Sequence, residues 1–419
     1  MIKKIFKGIL IFLVSLIILI GIGDFLWINL PKLSARKNIS DIEDYGKEVS
    51  QIILDDNVRL VGLGEGTHGN SDFQDLKLEV LKTLVEKNNL KTFAIEADFG
   101  EGMIINNYIH GNKRDENISN VFSFNIYHTK NMNDLINYMF DYNQKAKDED
   151  KLSFYGFDMQ NPEKSMEVIL DFCKENNILQ ARDLQKEFSF IKDENFKISQ
   201  IKDKEALLLE IKAHVDSLSS NSARLISRAL TNVLDSVKYY DLDFNDYVKV
   251  NSVRDELMAE NVKWISDFEK SNGNNLLLIS GHNGHIAKSG KFYEPMGSHL
   301  KKIFGEKYFI IGTDFYKGIV NINVAGPDNK RSNHVFVSAD PLAYSARKFK
   351  GKYYLDFTKV KDGETFDLIN KEINMISLGE GYSPLMKFMP RSYRVKEVPK
   401  DLYDAMIFVY YAKPIAVND

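Results

Sequence analysis

Glu65 and His68 stand three positions apart in the glycine-rich stretch Leu-Val-Gly-Leu-Gly-Glu-Gly-Thr-His-Gly, residues 60–69. A neutral imidazole, with an ordinary pKa of about 6.5, is the usual side chain for taking a proton near neutral pH. A carboxylate beside it fixes the tautomer and stabilises the imidazolium that results. Further on, Glu96 closes the apolar run 92–95, Asp158 closes 152–157, and His282 and His285 follow 275–280. A second histidine and an arginine near the first pair would hold the oxyanion of a tetrahedral intermediate. These parts suffice for attack of an activated water on an ester or lactone carbonyl. The Gly-x-Ser-x-Gly elbow of the common serine hydrolases is absent from the sequence.

The elements that must position these groups read as an α/β fold with a mainly parallel central sheet flanked by helices. Residues 58–63 form a short apolar run ended by glycine, the mark of a strand buried on both faces. Residues 72–87 carry apolar side chains at Phe73, Leu76, Val80, Leu81 and Leu84, the spacing of a helix. Glu65 and His68 therefore fall in a strand-to-helix turn. A parallel sheet delivers its carboxyl ends to one edge, so residues far apart in sequence meet there. Further strands are expected at 308–313, 319–324, 353–357 and 405–409, with helices at 42–54, 131–144, 162–173 and 251–269. The segment from about 178 to 240 is rich in charge, helical in period and without a clear strand. It reads as a helical insertion, either a cover for the crevice or a packing subdomain.

Each candidate also has a plain structural role open to it. Glu65 and His68 could bond loop backbone, Glu96 could sit at a helix start, and Asp158 could cap a helix. Convergence of four strand ends favours a site. The two histidines and two glutamates also offer donors for Zn²⁺ or a similar ion, yet the spacing fits no standard metal motif. A metal-dependent, protease-like hydrolase is thus one alternative. A non-catalytic envelope protein binding a metal or other ligand in the same crevice is another. His110, His128, His214, His299 and His334 are assigned to surface or structural positions.

Residues 1–30 read as a membrane anchor. Lys3, Lys4 and Lys7 precede an uncharged run from 8 to 23, and the apolar run resumes at 25–28 after Asp24. That length spans a bilayer, with Trp27 at headgroup level and the leading lysines in the cytoplasm. The expected location is a single-pass membrane protein with its domain outside the cytoplasm. The alternative is secretion after signal cleavage near Gly21 or Gly23. Residues 31–41 read as a linker and 42–419 as the α/β domain. A formal net charge of -4 and the absence of a basic stripe argue against nucleic acid. The single Cys173 excludes an internal disulfide and a multi-cysteine metal site.

At these residues the chain resembles the erythromycin esterase family. The resemblance rests on Gly64-Glu-Gly-Thr-His68-Gly69, Phe93-Ala-Ile-Glu96-Ala, Tyr155-Gly-Phe-Asp158-Met-Gln160, Arg254-Asp255 with Met258 and Asn261, and Gly281-His282-Asn283-Gly-His285. It implies an α/β hydrolase of macrolide lactones that uses no fixed cofactor, with a divalent metal left open. His68 matches the general base and Glu65 and Glu96 the active-site carboxylates. His282 and His285 match a second histidine pair, and Arg254, which pattern alone would not select, matches a site arginine. Lys77 stands where the family usually has arginine, keeping a cation without the bidentate fork; it and Asp158 are assigned to substrate contact. Family members tend to carry tryptophan, glutamate and arginine where this chain has Tyr127, Asn131 and Phe140. The expected partners are a small ester or lactone and the membrane.

Overall fold

Strand β1 (Leu60–Glu65) is buried at every position, as a strand covered on both faces must be. The protein is described from a computed structural model, which covers residues 2–179, 182–193, 195–326 and 330–417. After β1 come β2 (Thr92–Asp98), β3 (Ser153–Asp158), β4 (Leu277–His282), β5 (Tyr308–Val324), β6 (Arg331–Val337), β7 (Lys352–Asp356), β8 (Ile373–Ile376), β9 (Gly381–Tyr382), β10 (Arg394–Glu397) and β11 (Ala405–Ala412). The main sheet runs in the order β3-β2-β4-β1-β5-β11-β7, with β6 and β9 on β5. All pairings from β3 through β11 along this order are parallel. Only β7 and β6 join antiparallel. The sheet is therefore mainly parallel and flanked by helices, the architecture expected from the apolar runs. A separate antiparallel pair is formed by β8 and β10.

The helices follow as α1 (Ile2–Ser34), α2 (Ile42–Tyr45), α3 (Ser71–Asn88), α4 (Phe99–His110), α5 (Lys130–Asn143), α6 (Glu163–Glu175), α7 (Leu184–Glu187), α8 (Ile198–Lys202), α9 (Glu205–Asp216), α10 (Asn221–Tyr240), α11 (Tyr247–Ser271), α12 (Asn283–Ile286) and α13 (Met296–Phe304). Phe73, Leu76, Val80 and Leu84 of α3 and Leu135, Ile136 and Met139 of α5 fill one face of the sheet. Met166 and Ile169 of α6, Ile226, Leu230 and Val233 of α10, and Met258, Val262 and Ile265 of α11 belong to the core of the other. The helix starts that lead out of the site strands are capped by the sequence itself. Asn70 accepts from the backbone N–H groups of Asp72 and Phe73, and Asp98 from those of Gly100 and Glu101.

Three expectations change, and a fourth is open between two alternatives. Residues 42–54 do not form one helix: α2 stops at Gly46, and the backbone N–H of Lys47 donates to the Tyr354 carbonyl at 2.9 Å, a β-bridge that a helix cannot make. The runs 308–313 and 319–324 are one strand of 17 residues, because β5 leaves β1 and continues against β6. Residues 31–41 are not a free linker. Helix α1 passes through Pro31 to Ser34, and Ala35 and Ile39 are fully packed in the core. The insertion is helical, but none of its described residues lines the main cavity. Its longest helix, α10, packs on α6, α9 and α11 instead.

Candidate active site

The pairing register brings the strand ends together before any side chain is considered. Gly64 lies opposite Gly281, and Glu65 opposite His282. A Cβ on Gly281 would lie 2.9 Å from Glu96 Oε2, and one on Gly69 would lie 2.0 Å from the Asn321 carbonyl oxygen. Gly69 is thus required by close approach of backbone, and a side chain at Gly281 would displace the Glu96 carboxylate. Thr313 of β5 fixes the turn after β1, its hydroxyl accepting from the Gly66 N–H at 3.1 Å. Asn283 in turn spans Thr313, donating to its carbonyl at 2.7 Å and accepting from its N–H at 3.1 Å.

Glu65 is buried and has both oxygens occupied. One meets His68 Nδ1 at 2.9 Å, and the other accepts from Lys77 Nζ at 2.7 Å. Burial alone would raise the Glu65 carboxyl, but the Lys77 and His68 charges outweigh it and hold it near 2. The same pairing works on His68. Burial disfavours its cation, while the charge and hydrogen bond of Glu65, with Glu96 and Glu380 adding, raise the ring to about 9. In the neutral ring Nδ1 carries the hydrogen toward Glu65, so Nε2 is left as the basic atom. His68 lines the cavity.

His282 is the opposite case. Its ring centroid lies 5.3 Å from that of His68. Burial first, then the His68 and His285 charges, depress it to about 3. Its Nδ1 accepts from the Gly284 N–H at 3.1 Å, which puts the hydrogen of the neutral ring on Nε2. That Nε2 is buried and has no protein partner. A proton acceptor and a neutral N–H donor therefore sit side by side at the cavity wall.

Behind them lies a charged knot. Arg254 Nη2 donates to Glu96 at 2.8 Å and to Asp158 at 2.6 Å. Glu96 also accepts from the His282 backbone N–H at 2.9 Å. Burial opposes the Glu96 charge, but His285, Arg254 and His68 hold the carboxyl well below its usual range. His285 Nδ1 sits 2.7 Å from Asp255, and its Nε2 3.2 Å from Arg254 Nη1. Burial lowers this ring, Asp255 and Glu96 raise it, and the net direction is upward. Asn232 of α10 ties the insertion to this layer, donating to Asp98 at 3.1 Å and to the Asp158 carbonyl at 3.0 Å.

Glu65, His68, Glu96, Arg254, His282 and His285 thus meet at one sheet edge, and all but Glu65 line a cavity of about 1270 Å³. Lys77 and Asp158 do not line it. Lys77 is 1 % exposed and Asp158 is fully buried, and each spends its charge on a neighbouring side chain. Their placement is that of supports for Glu65 and Arg254, so the substrate contact assigned to them from sequence has no surface on which to occur.

Asp255, Asn283, Thr313 and Asn232 were not selected from the sequence. Asp255 and Asn283 carried a signal, as members of the Arg254-Asp255 and Gly281–His285 motifs. Of the three divergent positions, Tyr127 alone reaches the cavity, its hydroxyl donating to the Glu96 carbonyl at 3.2 Å. Asn131 instead bonds Asp75 at 2.6 Å, and Phe140 stacks on Tyr108. Among the described residues no three His, Cys, Asp or Glu side chains are gathered as a metal-ligand set. The Glu65 and Glu96 carboxylates are committed to His68, Lys77, Arg254 and the His282 backbone N–H.

The erythromycin esterase family profile matches residues 85–411. The chain is 27 % identical over 338 residues to erythromycin esterase type II of Escherichia coli, covering 70 % of this chain and 77 % of that protein. It is 25 % identical over 315 residues to the putative hydrolase YbfO of Bacillus subtilis (strain 168), covering 65 % and 67 %. Among solved structures, a Bacillus cereus protein superposes with a TM-score of 0.74 at 20 % identity, covering 90 % of this chain and 98 % of the other. A mutant of the erythromycin esterase EreC in its open conformation gives 0.63 at 16 % identity, covering 90 % and 99 %. At these identities the likeness to the solved structures is one of fold.

Proposed function

We propose, from the premise that this chain belongs to the erythromycin esterase family, that it is a membrane-anchored hydrolase of esters or lactones. One observation carries the reading: the ring of a Glu65-held His68 lies 5.3 Å, centroid to centroid, from that of a neutral His282 whose Nε2 has no protein partner. Water positioned between His68 and a bound carbonyl gives its proton to His68 Nε2 as its oxygen bonds to the carbonyl carbon. The developing oxyanion accepts from His282 Nε2–H, a neutral donor that no protein group occupies. Glu65 stabilises the imidazolium, and Lys77 keeps Glu65 ionised. Collapse breaks the carbon–oxygen bond, the proton passes from His68 to the leaving alkoxide, and acid and alcohol depart. Glu96 and Arg254 hold the backbone and rings of the second histidine pair in place.

The anchor reading is supported by α1, whose span Phe6–Ser34 has a mean hydropathy of 2.8 in its most apolar window and no burial there. The helix is continuous through Gly21 and Gly23. With the leading lysines on the cytoplasmic side, the domain lies outside the cytoplasm.

The test is turnover of simple esters and macrolides by the purified chain, with and without chelator. His68→Ala is expected to lower kcat/KM at least about a hundredfold, and chelator to leave the wild type unchanged. Full activity in that variant would overturn the assignment of the base. Loss of activity on chelation would favour metal-assisted hydrolysis at the same cavity.

A further inference from the structure

The anchoring helix and the cavity share a wall. Trp27 and Pro31 of α1 line the cavity together with His68 and His282, and the Arg391 guanidinium lies 4.6 Å over the Trp27 ring. A tryptophan at the end of an apolar span sits at headgroup depth. Whatever touches that ring is held at the same depth. Residues 6–27 rise roughly 33 Å along the helix, which matches the hydrocarbon core and leaves no slack to carry the domain away from the surface.

The segment that carries Arg391 has the surface such a position would need. Leu385 is 67 % exposed, Phe388 61 % and Met389 59 %. These lie in the turns Pro384–Lys387 and Pro390–Ser392 and the residues joining them. The charged residues within 384–392 are Lys387 and Arg391, both cations. Exposed apolar side chains with interspersed cations and no acid make the composition that inserts into an anionic lipid surface. Phe292, also on the cavity wall, is 78 % exposed.

We propose that the cavity opens onto the lipid–water interface and that its substrate is an amphiphilic ester drawn from the bilayer. The hydrocarbon part stays in the membrane while the ester carbonyl reaches His68. This deepens the hydrolase reading above and rests on it. The step is the same: water adds to the carbonyl carbon, the ester carbon–oxygen bond breaks, and a fatty acid and an alcohol leave. A cavity of about 1270 Å³ exceeds what a compact drug-sized ligand fills, and it suits a long-chain substrate.

The experiment uses the full-length chain in vesicles of phosphatidylcholine and phosphatidylglycerol. Two probes are compared, methylumbelliferyl palmitate dissolved in the vesicles and methylumbelliferyl acetate in the water. None of the three residues changed in the triple variant Leu385→Ser, Phe388→Ser, Met389→Ser lines the cavity. The variant is expected to lower palmitate turnover about tenfold or more, by removing apolar area from the membrane, and to leave acetate turnover unchanged. Unchanged palmitate turnover would overturn the inference. So would an equal fall on both esters, which would mean that the segment serves the cavity and not the bilayer. A second measurement is independent of hydrolysis. Cys173 is buried, so a fluorescent thiol label on Phe388→Cys reports that position alone. Quenching by lipids brominated near the carbonyl end of the chain supports the proposal, and quenching by aqueous iodide only would overturn it. If the wild type hydrolyses neither ester, the hydrolase reading falls and the label still decides the interface.

Discussion

Replacing Lys77 by methionine removes one of two cations that share the Glu65 carboxylate and keeps the length and apolar stem of the side chain. The two cationic atoms sit on opposite oxygens, at 2.7 Å and 2.9 Å, so they are roughly 5 Å apart. At an effective dielectric constant of ~20 their repulsion is worth ~3 kcal/mol. Each pKa unit is ~1.4 kcal/mol, so losing Lys77 should raise the His68 ring by as much as ~2 units from its already raised value. The base must be neutral to act, so kcat/KM in the wild type should rise about tenfold per pH unit and level near 9. In Lys77→Met that limb moves to higher pH, and kcat/KM at pH 8 drops by up to ~100-fold with KM little changed. Removing one partner of a buried pair also costs ~3 kcal/mol of stability, so a thermal melt accompanies the kinetics. Lys77→Arg restores a cation and should return the limb to about 9. A lower melting temperature with an unmoved limb would show that Lys77 only packs. A limb displaced to lower pH would refute the electrostatic reasoning outright.

The remaining predictions are narrower. His282→Phe keeps the ring volume and removes the Nε2–H donor, and should cost about 100- to 1000-fold in kcat with the fold intact by circular dichroism. The stability contributed by His68 and His282 together should be greatest near pH 6.5, as read by thermal melts of the wild type against His68→Ala and His282→Phe across pH. His68 is raised to about 9, so its contribution is complete below 6.5 and is lost as pH climbs to 9. His282 is lowered to about 3 and Glu65 to about 2, so both destabilise the native state relative to the unfolded chain as pH falls below their ordinary values. A wild-type advantage over His68→Ala that rises steadily from pH 6.5 to 9 would contradict this. The mature protein should remain in the membrane pellet after an alkaline wash and retain Gly21 and Gly23 by mass; a chain starting at residue 22 or 24 would identify a cleaved signal.

The four site strands were legible because each is a short apolar run ending in glycine or an acid, and a parallel sheet leaves few ways to arrange such runs. The meeting of Glu65, His68, Glu96, His282 and His285 followed from that arrangement alone. The roles of Lys77 and Asp158 did not. A lysine on a helix reads as a solvated charge, and nothing in the spacing shows that it reaches back twelve positions to a buried glutamate. The small β8–β10 sheet was invisible for a different reason: its strands are four residues each and pair across an intervening segment, below the length at which alternation can be recognised. The failed helix at 42–54 is a case of tertiary pairing overriding local period, through the Lys47 bridge to Tyr354.

The cavity has two walls of different origin. Glu96 and His282 stand at the ends of main-sheet strands and His68 in the turn that follows β1. Met375, Ile376, Val395 and Lys396 face them from the β8–β10 pair, outside that sheet. Substitutions at Met375, Val395 and Lys396 can therefore reshape what is admitted without touching the groups that move the proton, whereas Glu380, between the two strands, adds to the field on His68. Relatives that share the reacting groups are free to diverge in diet.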